Sequence, residues 1–135
     1  MSKLVGKYTH VRSENLDEYF KAVGVPYIPR KMMCASNPTI DISKSDDGKW
    51  TINTSTLFRT STYTFNLGEE YEENMPGVVI KCTANLSDDK LIIECVSPDN
   101  SKVLRVYETT DDGMTITYKH EASGKEAVRH FKRTE

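Results

Sequence analysis

The pattern of apolar and polar positions changes near Pro38, and the two sides of that point predict different elements. Before it, apolar residues recur at i, i+3, i+4 and i+7, which is the spacing of one helical face. These residues are Leu16, Tyr19, Phe20 and Val23. Asn15 stands three residues before Glu18 and provides a candidate N-terminal cap, while Gly24 and Pro26 provide a stop. The pattern predicts a helix between these signals.

Two shorter elements are also predicted before Pro38. Residues 5–11 have the composition of a first strand. A second helix is predicted over residues 29–35, because proline is tolerated in a first helical turn and because Ile28, Met32 and Ala35 share a face.

After Pro38 the helical period disappears, and strand-like runs recur about every 8 to 12 residues between turn residues such as Asp46-Asp47-Gly48. The runs are 39–43, 49–54, 58–65, 70–73, 78–86, 91–96, 102–109, 115–120 and 127–133. Together with the first strand, these runs make ten short strands joined by tight turns. They predict an all-β fold, an antiparallel up-and-down barrel whose helix-turn-helix after strand one covers one end.

The run from Trp50 to Phe65 is rich in threonine and punctuated by aromatic residues, so its strands carry hydroxyl groups on both faces. A packed sandwich core would require Val, Ile and Leu on one face. A barrel whose lumen holds water and an amphipathic guest tolerates Thr and Ser inside. The pattern therefore favours a barrel with a polar lumen.

Composition narrows the class of protein. The 135 residues support one domain over residues 1–135, and a net charge of −2 gives no electrostatic reason to expect nucleic acid binding. Three cysteines without CxxC spacing, and no apolar stretch of signal-peptide or membrane-span length, predict a cytoplasmic protein with reduced thiols. The histidines show no metal-ligand spacing, and no catalytic motif appears, so we expect neither an enzyme nor a metal or cofactor.

Several blocks along the chain resemble those of the intracellular lipid-binding protein family, the fatty-acid and retinoid carriers. The blocks are Gly6-Lys7-Tyr8, residues 13–19, Val23-Gly24-Val25 with Arg30-Lys31, residues 55–73 and residues 129–133. The resemblance runs from end to end. It implies a β-clam barrel with a helix-turn-helix lid and an internal cavity that contains water.

The last strand carries the first candidate for binding a carboxylate. Alternation places Ala127, Arg129 and Phe131 on one face, and a phenylalanine there favours the lumen. The alternative is a solvated charge run. The resemblance implies that Arg129 binds the ligand carboxylate, a task that suits a guanidinium because it stays charged and binds bidentately. Phe131 stands where the family usually has tyrosine.

The eighth strand provides the second candidate, with a register that the sequence leaves open. Tyr107 occupies the slot of the family's second arginine, and Arg105 lies two residues earlier on the same face. One hypothesis has Tyr107 supply a phenol and Arg105 a charge at the head group. The alternative places Leu104 and Val106 inside and leaves Arg105 in solvent.

The resemblance also implies a portal beside the lid. Phe58 matches the family's gate position at this portal, and the alternative is that it is an ordinary core residue. Met75 makes the opposite side of the portal apolar. The residues expected to contact the ligand tail or line the portal are Leu16, Tyr19, Phe20, Val25, Ile28, Met32, Phe58 and Met75. Lys21, Arg30 and Lys31 match basic lid positions, which serve solubility or dock on anionic membranes.

These observations predict a cytosolic, monomeric carrier that reversibly binds a long-chain fatty acid or similar hydrophobic carboxylate, with Arg129 as anchor. Two alternatives remain open at this point. One is a carrier of a retinoic-acid-type retinoid, and the other is a module whose lid delivers ligand to membranes.

Overall fold

The computed structural model describes residues 3–57, 59–75 and 78–134, and the strands and helices follow one another in the predicted order. The elements are β1 (Gly6–Glu14), α1 (Leu16–Val23), α2 (Tyr27–Ala35), β2 (Thr39–Lys44), β3 (Trp50–Ser55), β4 (Thr60–Phe65), β5 (Glu70–Met75), β6 (Val78–Ser87), β7 (Lys90–Val96), β8 (Lys102–Thr109), β9 (Gly113–His120) and β10 (Glu126–Arg133). Phe58 lies outside the described residues, as does the side chain of Met75.

All ten strands form one antiparallel sheet in the order β4-β3-β2-β1-β10-β9-β8-β7-β6-β5. Strands that follow one another in the sequence pair with each other, with the exception of β4 and β5, and β1 also pairs with β10. The prediction of a ten-stranded up-and-down barrel with two helices after strand one is confirmed. None of the described helices is long and apolar enough to cross a membrane.

The ends of the sheet order, β4 and β5, meet without a backbone ladder between them. Side chains bridge this β4–β5 seam instead. The backbone N–H of Asn74 donates to the Tyr63 hydroxyl at 2.9 Å, and the rings of Phe65 and Tyr71 stack with centroids 4.8 Å apart. The barrel is therefore closed by side chains along this line.

Inward-facing side chains form two apolar clusters. The larger one fills the barrel and includes the fully buried Leu4, Tyr8, Ile42, Trp50, Leu91 and Met114. The smaller one, the lid cluster, packs the helices onto β10 and consists of Leu16, Tyr19, Phe20, Val25 and Ala127. The apolar face of α1 provides three of its members, so the helical spacing in the sequence is what attaches the lid to the barrel.

Three local predictions were wrong. Asn15 makes no side-chain cap, because it adopts a left-handed conformation with φ 62° and donates from Nδ2 to the Glu126 carbonyl at 2.7 Å. Helix α2 begins at Tyr27 instead of residue 29, which places Pro29 inside the first turn, where no N–H is required. β1 continues to Glu14 because β10 supplies partners up to that residue.

Candidate functional site

A largely buried ion pair occupies the inside of the barrel. Arg105 of β8 donates from Nη1 and Nη2 to the two carboxylate oxygens of Glu73 on β5, at 2.7 and 2.5 Å. The Tyr71 hydroxyl donates to Glu73 at 2.6 Å. β5 and β8 are separated by two strands in the sheet, so the curvature of the barrel brings their inner faces together. Arg105 therefore points into the barrel. This excludes the alternative in which Leu104 and Val106 face the inside and Arg105 faces solvent.

The environment of Glu73 keeps it ionised. Burial alone would raise the pKa of its carboxyl group, but the Arg105 charge and the hydrogen bond from Tyr71 outweigh burial and hold that pKa below its ordinary value. Burial and the Glu73 charge raise the pKa of Tyr71, so its hydroxyl remains a hydrogen-bond donor. The three side chains form one charged network on the inner wall of the barrel.

A cavity of about 50 Å³ adjoins this network. It is lined by Ile52, Thr54, Tyr63, Phe65, Glu73, Arg105 and Tyr107. Tyr107 is buried, and burial raises the pKa of its phenol, which therefore stays protonated. The structure thus brings the two candidate residues of β8, Arg105 and Tyr107, to one small cavity.

Arg129 lies elsewhere, beneath the lid. Arg129 and Phe131 are 5% and 4% exposed, and both face inward with Ala127. The Arg129 Nη2 donates to the Met33 carbonyl of α2 at 2.9 Å, while its buried Nη1 has no hydrogen-bond partner among the described residues. In the strand register Arg129 is opposite Ile116, which is opposite Tyr107. Arg129 and the cavity therefore belong to the same row of the inner face, two strands apart.

The predicted tail and portal residues separate into two groups. Leu16, Tyr19, Phe20 and Val25 are buried in the lid cluster. Ile28 and Met32, by contrast, are exposed on α2, which has no fully buried residue. The structure therefore places only the first group against the barrel.

The basic lid residues are partly neutralised. Arg30 Nε and Lys31 Nζ both lie 3.0 Å from the same carboxylate oxygen of Asp17. Lys21 is exposed in the last turn of α1. Two of the three basic lid side chains are therefore paired with an acidic side chain of the lid itself.

Sequence reasoning missed Glu73. Its signal was available, because alternation along β5 places Tyr71 and Glu73 on the same face and Tyr71 is aromatic. In the described part of the chain no group of three or more His, Cys, Asp or Glu side chains could hold a metal ion.

The fold and the interior together define a class of protein, a lidded antiparallel barrel with guanidinium groups inside it. The model of the lipocalin / cytosolic fatty-acid binding protein family matches residues 5–134, and the chain belongs to this family. Membership agrees with the expectation that the chain is a carrier and not an enzyme.

Similar proteins match over most of the chain. A fatty acid-binding protein of Tyrophagus putrescentiae is 30% identical over 98% of this chain and 99% of its own length. Cellular retinoic acid-binding protein 2 of Rattus norvegicus is 34% identical over 86% of this chain and 88% of its own. The structure of the Schistosoma mansoni fatty acid binding protein in complex with arachidonic acid is 28% identical, with a TM-score of 0.92, and covers 100% of this chain and 98% of that one.

Proposed function

We propose that this chain reversibly carries a long-chain fatty acid or similar hydrophobic carboxylate, with the carboxylate held by Arg129. The observation that carries the proposal is the unpaired state of Arg129 beneath the lid. Its side chain is buried, and among the described residues its Nη1 has no hydrogen-bond partner and no carboxylate pairs with it. A buried charge without a counter-ion is costly, and a ligand carboxylate would supply one.

Arg105 has a different part in this proposal. Its charge is already compensated by Glu73, so a ligand carboxylate at Arg105 would have to displace an internal one. Arg105 and Tyr107 therefore act as a second polar contact at the cavity, and Arg129 provides the main charge. The name of the Schistosoma mansoni relative, which binds arachidonic acid, supports a fatty acid as the ligand class.

The apolar tail provides most of the affinity. Burying a chain of about sixteen carbons is worth roughly 0.8 kcal/mol per methylene, about 12 kcal/mol before the losses of association are subtracted. One charged hydrogen bond contributes about 1.5–3 kcal/mol. The head group therefore determines selectivity for acids over alcohols.

Binding requires the interior to widen. The cavity of about 50 Å³ is far smaller than the roughly 300–1,000 Å³ of sites for molecules of this size. The lid and the β4–β5 seam are the parts of the wall without a backbone ladder, so we propose that they move to admit the ligand.

The test is competition for a hydrophobic anionic fluorescent probe by oleate and by oleyl alcohol. Arg129→Gln should weaken oleate binding by about 1.5–3 kcal/mol and spare the alcohol. Arg105→Gln should cost less, and Arg12→Gln, which changes an exposed arginine, serves as matched control. If Arg129→Gln binds oleate as tightly as the parent, the anchor lies elsewhere. Retinoic acid competing better than oleate would favour the retinoid alternative, which the rat relative's name supports.

The lid provides a second, additional function in this proposal, delivery to anionic membranes by a monomer in the cytoplasm. Lys21 is the basic lid residue to test, because Arg30 and Lys31 share Asp17. Lys21→Glu should slow ligand transfer to vesicles containing phosphatidylserine without changing equilibrium affinity. Lys90→Glu, at the start of β7, is the matched control. Equal transfer rates for both variants would remove the lid from the delivery step.

A further inference from the structure

Two thiols face each other on the barrel wall next to Arg105. Cys82 of β6 and Cys95 of β7 are directly opposed in the antiparallel register, and both side chains are buried. Their Sγ atoms lie 2.8 Å apart, and both are free thiols. Opposed residues of an antiparallel pair have Cα atoms about 4.5–5.5 Å apart, which lies within the range found for disulfides. The backbone therefore already holds the two sulfurs at a separation that a bond can close.

The surroundings make the two thiols unequal. The hydrogen bond donated by Cys82 lowers the pKa of the Cys95 thiol, burial opposes this effect, and the Arg105 charge adds to it. The same hydrogen bond, together with burial, raises the pKa of Cys82. The thiolate is the nucleophilic form of cysteine. Cys95 is thus suited to attack first and Cys82 to resolve the product.

The two thiols lie on the same inner wall as the charged network beside the small cavity. Cys82 is opposite Tyr71 in the β5–β6 pair, and the Tyr71 hydroxyl donates to Glu73, which lines the small cavity together with Arg105. Cys34, the third cysteine, lies on α2, where burial and then the Asp17 charge raise the pKa of its thiol. It provides an internal comparison without a second sulfur opposite it in a strand pair.

We propose that Cys82 and Cys95 form a dithiol that reduces one hydroperoxide molecule inside the barrel and closes to a disulfide. The Cys95 thiolate attacks the distal peroxide oxygen, the O–O bond breaks, and the departing alkoxide takes up the proton that Cys95 released. Cys82 then attacks the sulfenic sulfur of Cys95, the S–S bond forms, and hydroxide leaves with the Cys82 proton as water. Two thiols and one hydroperoxide thus give one disulfide, one alcohol and one water.

This reaction is stoichiometric, since each chain reacts once unless an external reductant restores the thiols. It goes beyond the proposed carrier function and does not depend on it, because hydrogen peroxide has the reactive O–O bond without an acyl chain. A fatty-acid hydroperoxide carries the same O–O bond on an acyl chain. The two oxidants are therefore separate arms of one experiment.

The experiment treats fully reduced protein with one equivalent of hydrogen peroxide or of linoleic acid hydroperoxide. Remaining thiols are then alkylated under denaturing conditions, and the protein is digested. Trypsin cleaves after Lys81, Lys90 and Lys102, so Cys82 and Cys95 fall in different peptides. The expected result is a cross-linked peptide pair that has lost two hydrogen atoms and an alkylated Cys34, with one hydroxy fatty acid formed per chain in the lipid hydroperoxide arm.

Three variants assign the roles. Cys95→Ala should slow peroxide consumption by at least about tenfold, because it removes the nucleophile. In the Cys82→Ala variant, the reaction should stop at a sulfenic acid on Cys95, which dimedone would trap. Cys34→Ser is the matched control and should behave as the parent does. Closure with either peroxide supports the proposal, and the faster arm identifies the source of the oxidant.

The peptide mapping uses the unaltered chain, so it tests the proposal even if a variant fails to fold. Cys82 and Cys95 recovered as alkylated thiols after both treatments would overturn it. Overoxidation of either sulfur without a cross-link would do the same.

Discussion

The barrel is joined in two places by different means, at the junction of β1 with β10 and at the β4–β5 seam. The junction has a backbone ladder from Tyr8–Arg133 to Glu14–Val128, with one bulge near His10. Arg133 adds hydrogen bonds to the Val5 carbonyl and the Tyr8 hydroxyl, at 2.9 and 2.8 Å. At the seam, by contrast, only side-chain bridges and ring stacking join the strands among the described residues.

The difference shows where this fold can open. A ladder loses several backbone hydrogen bonds at once when it separates, and the exposed edge then needs new partners. Side-chain bridges break one at a time, and water replaces each of them. We therefore expect stability to depend on the junction, while ligand entry depends on the seam.

The largest effect should come from the junction. Tyr8 is fully buried, and its hydroxyl donates to the Leu4 carbonyl at 2.8 Å. Tyr8→Ala should lower the free energy of unfolding by about 3–5 kcal/mol, because it removes a large buried ring and leaves a cavity. Urea denaturation measures this loss. Tyr63→Ala at the seam is the matched control, and an equal loss there would contradict the comparison.

An intermediate effect is expected at Glu73, on the strand that borders the seam. Glu73→Gln should lower the free energy of unfolding by about 2–3 kcal/mol at neutral pH, because Arg105 loses its counter-ion. The folded-state pKa of Glu73 lies below the ordinary 4.5, so its contribution is present above pH 4.5 and disappears as the pH falls through the folded-state value.

Urea titrations of parent and Glu73→Gln across this range measure the pH dependence. The two curves should converge on the acidic side. A difference that stays constant down to pH values well below 4.5 would show that the carboxylate charge is not what stabilises the barrel wall.

The smallest change in stability should come from the seam itself. Tyr63→Phe removes the hydroxyl that accepts from the Asn74 N–H and should cost at most about 1 kcal/mol. Stopped-flow measurement of ligand release should nevertheless show faster exit. Tyr27→Phe, on the exposed face of the lid, is the control. Release at the parent rate would place the exit route elsewhere.

The strand order and the direction in which most side chains point could be predicted from the sequence, because alternation in β10 and helical spacing in α1 follow from local geometry. The opposition of Cys82 and Cys95 could also have been found. Cys82 and Cys95 are equally far from the two-residue turn Asp88-Asp89, one before it and one after it. In a hairpin with such a turn, residues at equal distances lie opposite each other on the two strands.

Contacts that depend on curvature or docking could not be found in this way. Arg105 reaches Glu73 across two intervening strands, which requires the final bend of the sheet. The hydrogen bond from Arg129 to Met33 depends on how the lid rests on the barrel. Neither distance is encoded in a local pattern, since each is set by the packing of many side chains.

The pairing of β1 with β10 also has a consequence during synthesis. Glu14 and His130, which hydrogen-bond at 2.6 Å, are 116 positions apart. On the ribosome β1 emerges first, and it lacks its β10 partner until nearly all the described residues have been made. One edge of β1 is then exposed to other nascent chains, and loop-closure entropy makes the final pairing slow. Chaperone binding to incomplete chains should therefore centre on residues 6–14, and it should end when β10 is released.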